Sequence, residues 1–350
     1  MNDTMTAAVL MQFGAPSALE VRLDWPRPRP ECDQVLVRVT AAAVNNTDIW
    51  TREGAYGRPE DPDALAGWLG DFAFPRIQGG DIAGVVVEVG ADVSEEMLGR
   101  RVLVDPAIYG SDEDDAAPVG YLGSEADGGF AQYVAVDASH AHDVDVSPLS
   151  DTQLACLPVA FGTAMAMLDR ANLRAGETVL VTGASGGVGL ALVQLASALG
   201  AYVVAITSGS KGDAVMDAGA SAVVNGDSND VAGQVAAAVP DGLHMVADIA
   251  GGDGVATLMP LLRTGGRWVI AGAVAGPVIE FDLRRLYLHN VHLIGSSMHT
   301  RVHFRRLVDL ARSGSLRPHI SSTYALTDIA AAQEEFVARR HIGKIVLLPD

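Results

Sequence analysis

The sequence predicts an α/β protein of two domains, a strand-rich half followed by a doubly wound parallel sheet. Three observations carry that prediction. Thr178 to Val181 is an apolar run of strand length that breaks into Gly183-Ala-Ser-Gly-Gly-Val-Gly189 and resumes as a helix with apolar positions Val188, Leu192, Leu195 and Leu199. From Thr178 onward, short apolar runs and helical patterns alternate, which is the order of a parallel sheet with helices on both faces. Before Thr178 the apolar residues keep the period of short strands, punctuated by proline and glycine. A length of 350 residues suits two domains better than one.

The glycine turn is where chemistry first enters. Gly183, Gly186, Gly187 and Gly189 allow a tight turn, and with Ala184, Ser185 and Val188 they bring backbone amides to the start of a helix, where a pyrophosphate is stabilised. This context, with a second strand over Tyr202 to Ile206, predicts a dinucleotide site. A site for NADH places an acid at the end of that second strand to bind the ribose 2′-hydroxyl. Here the strand ends Ile206-Thr-Ser-Gly-Ser-Lys211, with no carboxylate until Asp213. A 2′-phosphate would meet Ser208, Ser210 and Lys211 instead, so the expected cofactor is NADPH. Lys211 and Lys344 are the two lysines among 24 basic residues, which makes each position informative.

Composition excludes several classes of partner. A formal charge of -19 disfavours nucleic acid and anionic membrane surfaces. No apolar run approaches the length of a membrane span, and Met1 to Thr6 has no secretory pattern, so a cytoplasmic location is expected. Cys32 and Cys156 are too few for a disulfide framework and read as small packed residues. The acidic stretch Asp112 to Asp115 lacks the alternation of a calcium loop and reads as a solvated loop.

In the first half, Val35-Leu-Val-Arg-Val-Thr is the clearest strand, Pro75 to Gly90 returns to strand, and Gly128 to Val136 is expected to be a further one. A long excursion from Arg52 to Phe74 separates the first two and reads as a functional or mobile loop. Leu154 to Leu168 is expected to be one linking helix. Strands are predicted at 178–183, 202–207, 222–225, 244–250, 267–272 and 291–296, then helices over His303 to Ser313 and Asp328 to Arg340, and a last strand from Lys344 to Leu348. Val291 to Ser297 would form an unpaired apolar sheet edge, which a two-fold partner would cover, so a homodimer is expected.

Several ordered pieces together resemble the medium-chain dehydrogenase/reductase superfamily, in its zinc-free quinone-oxidoreductase-like branch. They are Val44-Asn-Asn-Thr-Asp48, Gly79-Gly-Asp-Ile-Ala-Gly84, Gly128-Gly-Phe-Ala-Gln-Tyr133, the glycine turn, Gly265-Gly-Arg267 and Gly343-Lys-Ile-Val-Leu347. The resemblance implies a GroES-like catalytic domain over 1–150, completed by 299–350, around a Rossmann domain over 151–298, with the active site between them. Zinc members of the superfamily carry ligands at the positions of Asn45, Gly80 and Val159. Glycine and valine supply none. Neither His140 with His142 nor His299 with His303 has a suitably spaced third ligand, so no metal is expected.

Without zinc to polarise an alcohol or carbonyl, the resemblance implies hydride transfer from NADPH to an already electron-poor substrate, a quinone or a carbonyl-conjugated alkene. Asn46 falls where family members approach the nicotinamide, and Tyr56 where a tyrosine lies near the substrate; both can donate to a developing oxyanion. Asp48 joins them as an ordering group for the loop. Thr163 corresponds to a threonine near the nicotinamide. Further nicotinamide and ribose contacts correspond to Ala271, Gly272 and Ala273 after the fifth strand of the Rossmann domain, and to Ser296 and Ser297 after the sixth. Gly226 stands where many quinone reductases have a tyrosine. The competing readings are an alcohol or aldehyde dehydrogenase of the same superfamily, and an NADPH-binding protein without turnover.

Overall fold

A computed structural model describes residues 3–56, 67–70 and 72–349. The chain folds as two compact units, Met1–Val159 with His299–Asp350, and Ala160–Met298. Part of the long excursion from Arg52 to Phe74, residues 57–66 and 71, lies outside the described residues.

The first unit contains β1 (Thr4–Leu10), β2 (Leu19–Pro26), β3 (Gln34–Ala43), α1 (Asn46–Glu53), β4 (Arg76–Ile77), β5 (Asp81–Val89), β6 (Arg101–Val104), β7 (Ala107–Tyr109), β8 (Pro118–Tyr121), β9 (Tyr133–Asp137), β10 (Ala141–Asp143) and α2 (Asp151–Leu154). The unit boundary falls within the next helix, α3 (Pro158–Arg170). The single helix expected over Leu154 to Leu168 is therefore two. Pro158 has no amide N–H to continue a helix from Leu154, but its fixed φ suits a first turn. The strand expected from Gly128 is also shorter, because Gly129 and Phe130 donate to the carbonyls of Gly79 and Gln78 and the ladder starts at Tyr133.

The second unit runs β11 (Thr178–Val181), α4 (Gly187–Ala198), β12 (Tyr202–Thr207), α5 (Gly212–Asp217), β13 (Ala222–Asn225), α6 (Val231–Ala238), β14 (Leu243–Asp248), α7 (Gly254–Leu258), β15 (Leu262–Ile270), α8 (Leu283–Leu288) and β16 (His292–Gly295). Its six strands are parallel, in the order β13-β12-β11-β14-β15-β16, so the direction of winding reverses beside β11. Ligands of open parallel sheets bind at that switch point, outside the carboxyl ends of the strands. Leu180, Val204, Val246 and Trp268 are buried in the core beneath it. The fifth strand stops at Ile270, two residues short of the expected 272, so Ala271 and Gly272 belong to the loop that leaves it.

The chain then re-enters the first unit as α9 (Arg301–Ser313), β17 (Ile320–Ala325), α10 (Ile329–Val337) and β18 (Lys344–Leu348). Helix α9 buries Phe304, Leu307, Val308 and Ala311, the single stripe expected of an amphipathic helix. Strand β18 lies parallel to β17 and antiparallel to β3, closing a seven-stranded sheet. Its Ile345 and Leu347 pack with Val37, Val86 and Val102, each such burial contributing about 1.5 to 3 kcal/mol. Among the described residues, no helix is long and apolar enough to cross a membrane.

Candidate functional site

In the first unit a buried polar cluster forms where β3 ends, α1 begins, β5 begins and β18 passes. Asn45 is the residue before α1, and Asp48, three positions later, accepts from the Asn45 N–H at 2.7 Å, so the two order the helix start. Asp81, fully buried at the head of β5, accepts from the Val159 N–H at 2.8 Å and from Asn45 Nδ2 at 2.9 Å. The remaining partner is Lys344 on β18. Its ammonium donates to Asp81 Oδ2 at 2.8 Å, Val44 O at 2.8 Å and Asn45 Oδ1 at 2.5 Å, which uses all three of its protons.

The three positions that carry zinc ligands in relatives thus converge, but their chemistry differs. The Asn45 amide oxygen is taken by Lys344, Val159 contributes its backbone N–H, and Gly80 has no side chain. The Tyr121 ring and hydroxyl fill the space a side chain at Gly80 would enter. Such a donor set does not suit zinc, which is bound by thiolate, imidazole or carboxylate. Among the described residues, no group of three His, Cys, Asp or Glu could hold a metal. His140 and His299 instead contact Asp105, and His303 caps α9 through Thr300. The Cys156 thiol is buried and donates to Thr152 O, and burial pushes it up to about 12.

Electrostatics single out Asp48. Burial raises its carboxyl to about 7, against the opposing pull of the Asn45 N–H and Lys344, and its Oδ1 has no hydrogen-bond partner among the described residues. Tyr56 is pushed up to about 12 by burial and bonds to Thr47, while its ring meets Trp50 edge-on at 5.6 Å. Burial, with Asp48 and Asp81 nearby, holds Tyr121 well above the usual phenol range. Asn46 sits at the first position of α1, partly exposed, with its Oδ1 accepting from Arg339 at 3.3 Å. Sequence reasoning missed Tyr121 and the Lys344–Asp81 pair. Only the rarity of lysine pointed to the latter, and nothing local to Tyr121 marks its role.

In the second unit the expected cofactor residues gather at the carboxyl ends of the strands. Gly183 follows β11 at φ 56°, and a Cβ at Gly189 would strike the Gly183 carbonyl and lie 2.7 Å from Ala184 Cα, so the turn needs glycine at both positions. Ala184 donates to Ile206 O, Ser185 and Gly186 complete the turn, and Gly187, Val188 and Gly189 open α4, where amides lack intrahelical acceptors. Ala271, Gly272 and Ala273 leave β15, with the Ala271 N–H donating to Asp248 O at 3.0 Å. Gly272 is there for close packing of backbone on backbone: a Cβ on it would lie 2.7 Å from the Ile249 carbonyl oxygen. Ala273 meets Gly251 across the same loops. The Gly272 side of the expected nicotinamide contact is thus backbone alone.

Ser296 and Ser297 leave β16, and Ser296 is buried with no partner for its Oγ among the described residues. Thr163 is buried in α3, and Asn46, Asp48 and Tyr56 belong to the first unit.

A cavity of about 500 Å³ opens beside the glycine turn, lined by Thr182, Gly183, Ile206, Gly226, Ser228 and Ala250 among others. In its wall, buried Asp248 accepts from Thr182 Oγ1 at 2.6 Å and Trp268 Nε1 at 3.1 Å, bracing β11, β14 and β15. Neither Ala271, Gly272 nor Ala273 lines that cavity, although the neighbouring Ala275 does. Ser208, Ser210 and Lys211 lie on the loop after β12. There the structure adds a group that the sequence did not suggest. Asp227, just past β13, accepts from the Gly209 N–H at 3.3 Å and brings a carboxylate to the loop where strand β12 had supplied none.

Comparison with known proteins agrees with this architecture. A family model for the alcohol dehydrogenase GroES-like domain matches residues 31–146, and one for zinc-binding dehydrogenases matches residues 187–313. The chain is 31% identical to mouse (Mus musculus) quinone oxidoreductase over 98% of each chain. It superposes with a TM-score of 0.95 on a Sinorhizobium meliloti protein provisionally assigned as an alcohol dehydrogenase, 44% identical, covering 100% of this chain and 98% of that one. A second Sinorhizobium meliloti structure, provisionally a zinc-binding dehydrogenase and bound to NADP, gives 0.84 at 26% identity over 99% and 100% of the two chains. The GroES-like unit, the glycine turn on a parallel sheet and full-length similarity to a quinone oxidoreductase place the chain in the medium-chain dehydrogenase/reductase superfamily, an oxidoreductase family, in its quinone-oxidoreductase-like branch.

Proposed function

We propose that the protein is a zinc-independent reductase that uses NADPH to reduce quinones or carbonyl-conjugated alkenes. The observation that carries this reading is the position of Lys344: its ammonium donates to the oxygens of Asn45 and Asp81, and Tyr121 occupies the space beside Gly80. A substrate that needs no metal to be polarised fits such a site. A bound reduced nicotinamide would supply the hydride. The chain's own contribution is to place neutral donors where negative charge develops on the substrate oxygen: the Asn46 amide and the Tyr56 phenol, which its raised pKa keeps protonated. Asp48, raised to about 7, would hold a proton part of the time at neutral pH. Screening NADPH oxidation against quinones, enones and aldehydes tests the reading, with metal analysis of the same preparation. Stoichiometric zinc whose removal abolishes turnover would overturn it.

The preference for NADPH is supported by Lys211, Ser208 and Ser210, and by the NADP bound to a relative. A homodimer is the assembly we infer, because β16 is a sheet edge and Val278, Leu283, Tyr287, Leu288 and Leu293 present exposed apolar surface beside it in sequence. A monomeric mass in light scattering at micromolar concentration counts against it. The 44% identity to a provisional alcohol dehydrogenase favours a second reading, alcohol oxidation. The same assay run with alcohols and NADP⁺ separates the two, and cofactor binding without any turnover would identify a binder.

A further inference from the structure

The pairing of β14 with β15 is irregular at its start. Leu243 faces Leu262 and Met245 faces Arg267, so β15 carries three more residues than its partner over that span, and the excess turns out through Gly265 at φ 75°. This bulge carries Arg263. With the amino ends of β11, β14 and β16 it borders a cavity of about 520 Å³, lined by Arg170, Arg174, Arg263, Arg267, His244 and His292. The glycine turn follows the opposite, carboxyl end of β11, so the cavity is separate from the dinucleotide site.

Charge is concentrated here against the trend of the whole chain. The protein carries a formal -19, yet four arginines line one cavity, and Glu177 is the one carboxylate lining it among the described residues. Glu177 Oε2 is already engaged, accepting from Arg267 Nη2 at 2.7 Å and from the Arg174 N–H at 2.9 Å. The histidine sharpens the case. Thr178 N–H donates to His244 Nδ1 at 3.0 Å, which leaves the neutral ring's proton on Nε2, and Arg263 Nη1 stands 2.6 Å from that same Nε2. Two donors face each other with no acceptor between them. An anion that drew Arg263 off the imidazole would relieve this and satisfy both groups.

We propose that this cavity binds a small molecule bearing at least two phosphate groups, gripped by Arg174 and Arg263 with Arg170 and His244 alongside. Planar guanidinium forks match phosphate oxygens, and the volume lies within the range of about 300 to 1,000 Å³ usual for small-molecule sites. The test is calorimetric titration of the full chain with inorganic pyrophosphate, and with citrate as a carboxylate comparison. The wild type should bind one pyrophosphate per chain, more tightly than citrate, with NADPH present or absent. Arg174→Ser and Arg263→Ser, both exposed positions, should each weaken binding roughly tenfold or more and leave NADPH titration unchanged. If either variant loses its cooperative melt, Arg263→Lys, which keeps the charge and loses the fork, replaces it and should still bind more weakly. No binding by the wild type at millimolar pyrophosphate, binding unaltered in the variants, tighter binding of citrate, or one-for-one displacement by NADPH would each overturn the proposal.

Discussion

Lys344 Nζ stands 2.8 Å from Asp81 Oδ2, and both side chains are almost fully buried, at 5% and 0% exposure. A buried pair of this kind gains little over an apolar pair, but breaking it leaves one charge without water or partner. Lys344→Ala should therefore destabilise the protein by about 3 to 5 kcal/mol in urea unfolding. Asp81→Asn combined with Lys344→Met should cost less than Lys344→Ala alone. Equal losses would mean the pair is not what the cluster depends on.

Asn46 is the test of the neutral-donor chemistry. Asn46→Ala should lower turnover on the order of a hundredfold, and unchanged turnover with unchanged cofactor affinity would return the residue to a structural role. Since its Oδ1 meets Arg339 in the structure, a thermal melt of the variant separates a lost donor from a loosened helix start.

Asp48 makes stability depend on pH with a definite sign. Its carboxyl binds a proton more tightly in the folded state, about 7 against 3.8, so the extra stability is present below about pH 4 and is lost as pH rises through 7. Asp48→Asn keeps an oxygen for the Asn45 N–H and has no proton to lose. Its unfolding free energy should be flatter than the wild type's between pH 4 and 7, and parallel pH profiles would remove Asp48 as the source.

The proposed cofactor preference sets two opposed groups against each other, Lys211 on the loop after β12 and Asp227 just past β13. Lys211→Ala should weaken NADPH binding by about ten- to a hundredfold and leave NADH nearly unchanged. Asp227→Asn removes the carboxylate beside Gly209 and should raise the preference for NADPH further. Wild-type protein that binds NADH as tightly as NADPH would show that the carboxylate dominates.

The second unit was legible because its signals are local. Each strand is a continuous apolar run and each helix has its own period, so β12 and β13 appear as expected; β18 of the first unit, another such run, spans Lys344 to Leu348 as the pattern required. The glycine turn is a short-range motif in the same sense. The site in the first unit was less legible because its contacts are remote in sequence: Lys344 reaches Val44 across 300 positions, and Tyr121 fills the space beside Gly80 by a packing no periodicity reports. Asp227 was missed for a similar reason, since the acid rule looks along β12 and the carboxylate arrives from the neighbouring strand. Even the linking helix failed on a single residue, Pro158, whose missing N–H divides it.

Strand β18 lies between β3 and β17, so a sheet whose earliest strand starts at Gln34 takes its last strand from almost the end of the chain. During synthesis the intervening unit, Ala160–Met298, is contiguous and can fold by itself as it emerges. The earlier strands must wait. At ribosomal speeds of roughly 5 to 20 residues per second, β3 and the Asp81 carboxylate stay without their closing strand for on the order of ten seconds or more. A nascent chain stalled before Lys344 would leave the Ala42–Ala43 end of β3 without its strand partner, an open edge that chaperones can cover and where aggregation can start.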